Sequence, residues 1–311
     1  MTLLGIDIGG TKTALVLERP GLRGPVHARF DWPHRTGRAG GRKADREADR
    51  EADLAALAAA VARIAGPQGP GGVRAAGLAL PATVRDGRLT TWPSRPSWTG
   101  LRLDTVLERI LPGVPVRYED DGNLAALAEA DRGGVRDLAY LGLGTGVGGG
   151  LVLGGRLHTG PYGGAAEIGH LVVDPGGAGC VCGRSGCLQA VASGSATLAR
   201  AAAARGGPVG AADFRAGLAQ GRAWAVGPLE ETAAALAVAV VNLGELLQCA
   251  EVRLGGGFGH GVPGLVARVR REARRLARPG VAPPAVRRAR CGARASLHGA
   301  LLLARRTADG E

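Results

Sequence analysis

Lysine, aromatic residues and long apolar runs are scarce in this chain of 311 residues. The absence of any run of about 18 or more consecutive apolar residues argues against a membrane-spanning helix. The first ten residues contain an aspartate and no basic residue, so we expect no signal peptide and a cytoplasmic protein. In that compartment the five cysteines are expected to be free or metal-bound rather than paired in disulfides.

The shortage of lysine also bears on the net charge of +12. The 39 basic residues include only Lys12 and Lys43, and much of the basic excess lies in residues 268–294. Arginine and alanine in place of lysine and isoleucine are typical of a GC-rich genome. Because the charge follows this bias, we expect no nucleic-acid binding. The lack of a long apolar run predicts no membrane partner.

Two segments, one near the start of each half of the chain, have the same pattern. Residues 3–18 and 141–157 each consist of an apolar run, a turn of Gly and Thr, and a second apolar run. This pattern is typical of a β-hairpin with a glycine-rich turn. A repeated hairpin in an alternating series of strands and helices indicates a duplicated α/β fold with a cleft between two lobes.

The remaining periodicity places the other elements. It predicts helices at residues 44–65, 121–132, 232–248 and 296–305, a buried strand at 73–80, a strand closed by three glycines at 251–257, and a loop or short helices at 205–217. The ADREADREAD repeat in the first helix is expected to be a solvated face with i,i+4 charge pairs. We expect a smaller N-terminal α/β lobe over residues 1–118 and a larger lobe over 119–311, with a final helix that can pack back on the first.

The turn of the first hairpin is a candidate phosphate site. Asp7 lies in an apolar strand, where a bare carboxylate is costly to bury. The residues that follow it are Gly9, Gly10, Thr11 and Lys12. Glycines let backbone N–H groups turn toward an anion, and an aspartate beside such a turn can orient hydrated Mg²⁺. The Walker A pattern is not matched. An ordinary tight hairpin remains the alternative.

The second hairpin contains the pattern Gly144-x-Gly146-x-x-Gly149. A dinucleotide-binding fingerprint requires a helix next, whereas residues 151–157 continue as strand and turn. A second phosphate-binding hairpin therefore fits better. A third glycine cluster, residues 255–257, follows a predicted strand. It can let a base or ribose pack on bare backbone, or it can be a simple strand–helix turn.

The most specific pattern is one histidine and three cysteines. His170, Cys180, Cys182 and Cys187 have the spacing H-x9-C-x-C-x4-C. One imidazole and three thiolates form a four-ligand set for structural Zn²⁺. The surrounding glycines allow the tight loops that wrap a tetrahedral ion. Free thiols or a disulfide are the alternatives, and Cys249 and Cys291 lie apart from the set.

Three acids, Glu119, Asp120 and Asp121, end an apolar strand and begin a helix. Acids at a helix start can simply be N-terminal capping residues, which the helix dipole favours. A carboxylate at a strand end is also where a general base belongs, and it would deprotonate a hydroxyl as that oxygen attacks the γ-phosphate of a nucleotide.

These motifs together resemble the ROK family of sugar kinases and related repressors, within the actin/hexokinase-like ATPase superfamily. The resemblance rests on GIDIGGTKT, the acidic strand end, LGLGTGVGGG, EIGH and CxCGxxGC, and it covers nearly the whole chain. It implies a two-lobed actin/hexokinase-like (ribonuclease H-like) ATPase fold with a zinc-binding loop. It also implies an ATP-dependent kinase of a hexose or hexose-like substrate that uses Mg²⁺ with ATP, and we expect a homodimer or homotetramer.

The resemblance assigns roles residue by residue. Asp121 corresponds to the catalytic base. Glu167 and His170 correspond to residues that contact sugar hydroxyls, and His170 also corresponds to a zinc ligand. The substrate-binding set is Asp120, Asp121, Glu167, His170, Gln189 and Ser94. The nucleotide-binding set is Asp7, Gly9, Gly10, Thr11, Lys12, Thr145, Gly146, Gly255 and Gly256.

Four positions depart from the family pattern on the side of the sugar pocket. Asp120 replaces the usual asparagine and Gln189 the usual glutamate, and the segments at residues 81–83 and 94–98 are also altered. A modified sugar, an amino sugar or a C7-cyclitol is therefore an alternative to glucose. A catalytically dead sugar sensor is an alternative that the retained phosphate motifs and base disfavour. A repressor is a second alternative, but the first hairpin begins at Leu3, so we expect no N-terminal DNA-binding module.

Overall fold

The structure, a computed structural model, describes residues 1–32, 43–92, 94–160, 164 and 166–310. It divides into two compact units. Unit 1 comprises Met1–Ala128, Thr159–Gly164 and Arg294–Glu311; unit 2 comprises Glu129–His158 and Ala165–Ala293. The division into domains at residues 118 and 119 stays a prediction, whereas the chain first passes from unit 1 to unit 2 at Ala128.

Strands and helices alternate along the described chain. The strands are β1 (Leu3–Ile8), β2 (Lys12–Glu18), β3 (Val26–Asp31), β4 (Ala75–Leu80), β5 (Thr83–Arg85), β6 (Arg88–Thr91), β7 (Val116–Asp120), β8 (Leu138–Leu143), β9 (Val147–Leu153), β10 (Arg156–Leu157), β11 (Glu251–Gly255) and β12 (Ala285–Arg288). The helices are α1 (Lys43–Ala65), α2 (Leu103–Ile110), α3 (Asp121–Gly133), α4 (Leu188–Ala192), α5 (Gly194–Arg205), α6 (Ala211–Ala219), α7 (Ala223–Leu247), α8 (Gly256–Gly261), α9 (Leu265–Leu276) and α10 (Ala295–Asp309).

In the described part of unit 1, one sheet has the strand order β3-β2-β1-β4-β7. The β1–β2 and β2–β3 pairs are antiparallel, and β4 runs parallel to both β1 and β7. Because β1, β4 and β7 point the same way, their carboxyl ends meet at one edge of the sheet. Asp7 and the acids at the end of β7 are thereby brought to the same edge.

The last helix, α10, packs on β1 and β4 of unit 1. Two glycines in register, Gly5 and Gly77, allow this approach. A Cβ on Gly77 would collide with the Ala300 carbonyl oxygen of α10, and one on Gly299 would collide with the Leu124 carbonyl oxygen of α3. The close packing of α10 against its neighbours therefore requires glycine at these positions, because a side chain would not fit.

In the described part of unit 2, a second sheet has the order β10-β9-β8-β11-β12. The β8–β9 and β9–β10 pairs are antiparallel, and β11 runs parallel to β8 and β12. This is the connectivity and direction of the first sheet. Both hairpins predicted from the sequence are confirmed, and so is the repetition of one α/β unit.

The helix α7 lies in the core of unit 2 and is the longest of the described helices. By length and composition alone it could cross a membrane, but 56% of its most apolar stretch is buried within the protein. That burial is typical of the core helix of a soluble protein.

The predicted elements are found with shifted ends. The helix expected at 232–248 begins earlier, at Ala223, and contains Pro228 near its start. The strand predicted before the glycines 255–257 includes the first of them and ends at Gly255, because Gly256 adopts a φ of +77° and begins α8. A Cβ there would collide with the backbone of Leu143, so the sharp change of direction requires glycine.

Candidate active site

The turn between β1 and β2 is held by backbone and indole hydrogen bonds. The amide of Gly9 donates to the Lys12 carbonyl at 2.9 Å. Trp32 donates twice: its backbone N–H to the Thr11 carbonyl at 3.2 Å, and its indole N–H to the Gly9 carbonyl at 2.9 Å. Thr11 and Lys12 are exposed. These hydrogen bonds therefore hold the backbone of the turn, while Thr11 and Lys12 remain accessible to solvent.

Gly10 of this turn packs against Ser94. A Cβ on Gly10 would lie 2.5 Å from the Ser94 Oγ. Gly10, a predicted phosphate contact, and Ser94, a predicted sugar contact, are thus neighbours in unit 1. Their roles stay predictions, but their proximity is a property of the fold.

A buried ion pair lies behind the same turn. Arg95 and Asp53 are both buried and form an ion pair, and the Trp98 indole N–H donates to Asp53 Oδ2 at 3.0 Å. The Arg95 guanidinium also stacks 4.2 Å from the centroid of a Trp32 ring. The sequence reading missed this cluster, since nothing local to Asp53 signals a partner 42 residues away.

Asp7 is the most strongly perturbed carboxyl at this edge of the sheet. Burial first, and the charge of Asp121 second, raise the pKa of Asp7 to about 6, while Lys12 opposes the shift. The strand order β1-β4-β7 brings both carboxyls to one edge of the sheet of unit 1. Two carboxyl groups at the same end of a parallel sheet can bind a cation or accept a proton.

The three acids at the end of β7 and the start of α3 have different surroundings. Burial raises the pKa of Glu119, and its carboxylate accepts a hydrogen bond from Asn123 at 3.4 Å. Asp120 accepts from the Gly122 amide at 2.9 Å and so caps the start of α3. Asp121 is the first residue of α3, where the helix dipole favours a carboxylate. The capping and the catalytic interpretations of this motif are therefore compatible.

The glycine turn of unit 2 is also anchored. The Gly144 amide donates to the Gly146 carbonyl, and the Gly194 amide donates to the Gly144 carbonyl, both at 2.9 Å. Because β8 and β11 are parallel and Gly142 pairs with Gly255, this turn lies at the same sheet edge as residues 255–257. The Tyr140 hydroxyl accepts from the Gly256 amide at 3.1 Å and secures that second turn.

A cavity of about 240 Å³ opens beside these two turns. It is lined by Gly144, Thr145, Gly194, Ser195, Leu198, Ala211, Arg215, Gly257, Phe258 and Val262. The predicted nucleotide contacts Thr145 and Gly256 are thus on or next to its wall. The sequence reading did not identify Arg215 or Phe258, which reach the cavity from α6 and α8.

His170 and the three cysteines converge in unit 2. Their ligand atoms all lie within 4.8 Å of one another. The Cys180 Sγ is 3.8 Å from the His170 Nδ1, and the Cys182 Sγ is 3.6 Å from the Cys187 Sγ. Zinc–sulfur bonds of about 2.3 Å at tetrahedral angles place two sulfurs about 3.8 Å apart, so the cluster fits a tetrahedral ion.

The thiols of the cluster have opposite pKa shifts, since burial raises the pKa of the Cys187 thiol to about 11. Hydrogen bonds from the backbone and side chain of Arg184 lower the pKa of the Cys182 thiol to about 6. A thiolate, not a thiol, is the metal ligand. The EIGH segment enters the cluster through Ala166, which has a φ of +69° and is strained for a residue with a side chain. Glu167 next to it is exposed.

Comparisons with known proteins agree with this geometry. The model of the ROK family matches residues 3–307. The chain is 45% identical to a kanosamine kinase of Amycolatopsis mediterranei over 309 residues, 99% of this chain and 97% of that protein. It is 33% identical to an N-acetylmannosamine kinase of Shigella flexneri over 83% of this chain and 84% of that protein.

Solved structures give the same picture. A ROK hexokinase from Thermus thermophilus superposes with a TM-score of 0.84 at 32% identity, covering 100% of both chains. A ROK glucokinase from Streptomyces griseus, in complex with glucose and AMPPNP, gives 0.77 at 28% identity, covering 98% of this chain and 100% of that one.

The chain therefore belongs to the ROK family, and its α/β fold is that of actin-like ATPases. Because the chain is similar to these kinases over nearly its whole length, it is an ATP-dependent kinase of a sugar or a sugar-like alcohol.

Proposed function

We propose that this kinase transfers the γ-phosphate of ATP to a hydroxyl of an amino hexose such as kanosamine. The observation that carries the proposal is the 45% identity to a kanosamine kinase along 99% of the chain. A second group of relatives, at 33% identity, consists of N-acetylmannosamine kinases, which act on another amino-sugar derivative.

The acidic edge of unit 1 supports an amine on the substrate. Asp120 stands where the family pattern has a neutral asparagine, and Asp121 and Glu119 lie beside it. An ammonium group gains Coulomb energy from a neighbouring carboxylate that a hydroxyl does not, and a site built around that charge disfavours the uncharged sugar. We assign Asp120 to substrate binding on this basis, and Glu167, His170, Gln189 and Ser94 by resemblance alone.

Asp121 is assigned as the general base. Its carboxylate takes the proton of the acceptor hydroxyl as that oxygen attacks the γ-phosphorus, and ADP leaves with the electrons of the broken P–O bond. The nearby Asp7, whose pKa is raised to about 6, is largely ionised at neutral pH. Asp7 would then hold the water shell of Mg²⁺, which supplies charge neutralisation for the phosphates.

The glycine turns are assigned to the nucleotide. In unit 1 these residues are Gly9, Gly10, Thr11 and Lys12; in unit 2 they are Thr145, Gly146, Gly255 and Gly256. The backbone N–H groups of such turns suit phosphate oxygens. The cavity of about 240 Å³ beside Thr145 and Gly257 would take the nucleoside.

We assign His170, Cys180, Cys182 and Cys187 as ligands of a structural Zn²⁺, which would fix the loop that carries the sugar contacts His170 and Gln189. The protein is proposed to act in the cytoplasm, where thiolate ligands stay reduced. A homodimer or homotetramer stays a prediction, which light scattering on the purified protein would test.

The experiment is an ADP-release assay over a panel of acceptors. The panel contains kanosamine, glucosamine, N-acetylmannosamine, glucose and a C7-cyclitol, each with Mg²⁺ and ATP. We expect the kcat/KM for kanosamine to exceed that for glucose by about tenfold or more, because a hydrogen bond to a charged group contributes about 1.5–3 kcal/mol. Glucose or the cyclitol as the best acceptor would refute the amino-sugar assignment.

A matched pair of variants tests the role of the charge. Asp120→Asn should reduce the preference for kanosamine over glucose because it removes the negative charge and keeps the shape. Asp131→Asn makes the same change at an exposed position of α3 and should leave the preference unaltered. An equal preference in both variants would show that Asp120 does not recognise the amine.

A further inference from the structure

Tryptophans surround the buried ion pair of unit 1. Asp53, which lies on α1, and Arg95 are both buried. Asp53 Oδ2 accepts hydrogen bonds from the Arg95 guanidinium and, at 3.0 Å, from the Trp98 indole N–H. The Trp98 ring makes edge contacts with the rings of Trp92 and Trp32, at centroid distances of 5.1 and 6.0 Å. The two charges are therefore enclosed by large aromatic side chains.

The guanidinium of Arg95 connects this cluster to the turn between β1 and β2. It lies over a Trp32 ring, 4.2 Å from the ring centroid. Trp32 in turn donates its indole N–H to the Gly9 carbonyl at 2.9 Å and its backbone N–H to the Thr11 carbonyl at 3.2 Å. Trp32 thus holds the turn at two points, and Arg95 holds the ring that makes one of these hydrogen bonds.

The backbone of Arg95 also organises the altered segment at residues 94–98. Its amide donates to the Trp92 carbonyl at 3.0 Å, and its carbonyl accepts from the Trp98 amide at 3.1 Å. Ser94, the residue before Arg95, is exposed and is a proposed sugar contact. Because the Arg95 side chain is anchored in the core, it also fixes the backbone that carries the Ser94 hydroxyl.

Stability alone does not explain an ion pair at this place. Two buried charges lose hydration that their attraction only partly restores, so apolar residues of similar volume are often as stabilising. A guanidinium differs from such residues in its directional donors and its flat face. Both features are used here, since the donors face Asp53 and the flat group lies over Trp32. The pair therefore specifies one position of the Trp32 ring.

We propose that Arg95, oriented by Asp53, is a positioning residue that holds the turn at residues 9–12 through Trp32, and with it the neighbouring Ser94. The inference rests on the proposed role of this turn in nucleotide binding. It goes beyond that role because it gives a function to buried side chains outside the proposed substrate contacts. Loss of the pair should weaken nucleotide and acceptor binding even where stability is retained.

The test separates positioning from stability with two double variants. Asp53→Asn with Arg95→Met removes both charges, leaves no unpaired buried charge and keeps an oxygen acceptor for Trp98. Glu51→Gln with Arg109→Met is the matched control, because it removes an ion pair of 3.4 Å between exposed side chains, one of which lies on the same helix α1. Thermal unfolding measures the stability of both.

Two single variants complete the set. Arg95→Lys keeps the positive charge beside Asp53 but has no planar group to lie over Trp32. Lys12→Met tests the turn itself, since the Lys12 side chain is exposed and is a proposed nucleotide contact.

Three quantities are measured on the full chain: affinity for a non-hydrolysable ATP analogue by calorimetry, and acceptor KM and kcat from ADP release. In the Asp53/Arg95 double variant we expect a melting temperature close to that of the wild type. We expect its analogue affinity to fall about fivefold or more and its acceptor KM to rise by a similar factor. Its kcat should change less than its KM, because the pair does not touch the reacting atoms. Arg95→Lys should change in the same direction, and the control should match the wild type.

Two outcomes overturn the inference. A double variant with the stability and both affinities of the wild type would show that the pair is structural only. If the double variant is unfolded or less stable, Arg95→Lys decides, and a stable Arg95→Lys protein with wild-type analogue affinity overturns the inference. The wild type and Lys12→Met are measured first. A wild type without analogue binding, or a Lys12→Met protein that binds the analogue normally, refutes the proposed nucleotide role of the turn separately.

Discussion

Replacing Asp7 with asparagine should stabilise unit 1 at neutral pH, although the change removes a proposed nucleotide-site residue. Asp7 has a folded-state pKa of about 6 against an ordinary value of 3.8. The folded chain therefore keeps this proton to a higher pH than the unfolded chain does. The contribution of Asp7 to stability is complete below about pH 4 and is lost as the pH rises through 6.

The size of the effect follows from the shift. Moving the pKa from 3.8 to about 6 corresponds to about 3 kcal/mol between acidic and neutral conditions. Asparagine resembles the protonated acid in shape and carries no charge. Asp7→Asn should thus exceed the wild type in free energy of unfolding by up to about 3 kcal/mol at pH 8, with the difference shrinking toward pH 4.5.

Urea unfolding at pH 4.5 and pH 8 measures this difference, with the exposed Asp131→Asn as the control. A variant that is less stable than the wild type at pH 8 would refute the reasoning, because it would mean that the Asp7 carboxylate is stabilised by partners rather than penalised by burial. A gain in stability with a loss of Mg²⁺–ATP binding would be the signature of a carboxylate kept for function at a cost in stability.

Three further changes test other parts of the structure. Asp121→Asn should lower kcat about 10²–10⁴-fold with nucleotide affinity nearly unchanged, and a variant that keeps more than about a tenth of wild-type kcat would exclude Asp121 as the base. Cys182→Ser should lower zinc content and melting temperature together; fresh wild-type protein with well under one zinc per chain would contradict the zinc assignment. Gly299→Ala should destabilise the protein by about 1–3 kcal/mol because its Cβ meets the Leu124 carbonyl oxygen, whereas Gly227→Ala in α7, with open space around it, should not.

Local patterns predicted the elements that depend on neighbouring residues. The two hairpins follow from apolar runs around glycine turns, and the metal-ligand cluster follows from four side chains within one glycine-rich segment. The prediction of a helix at 232–248 omitted residues 223–231 of α7, which include the poor helix formers Gly227 and Pro228. In the protein α7 nevertheless continues through Pro228, which is buried.

Contacts between distant residues required the fold. The parallel order β1-β4-β7 brings Asp7 to the sheet edge of Asp121, and only then can one acid raise the pKa of the other. Asp53 was assigned to a solvated helix face by its place in a charged repeat, yet it is fully buried against Arg95. A repeat with helical periodicity shows which residues share a face, but a partner such as Arg95 decides whether a charge on that face is solvated or paired in the core.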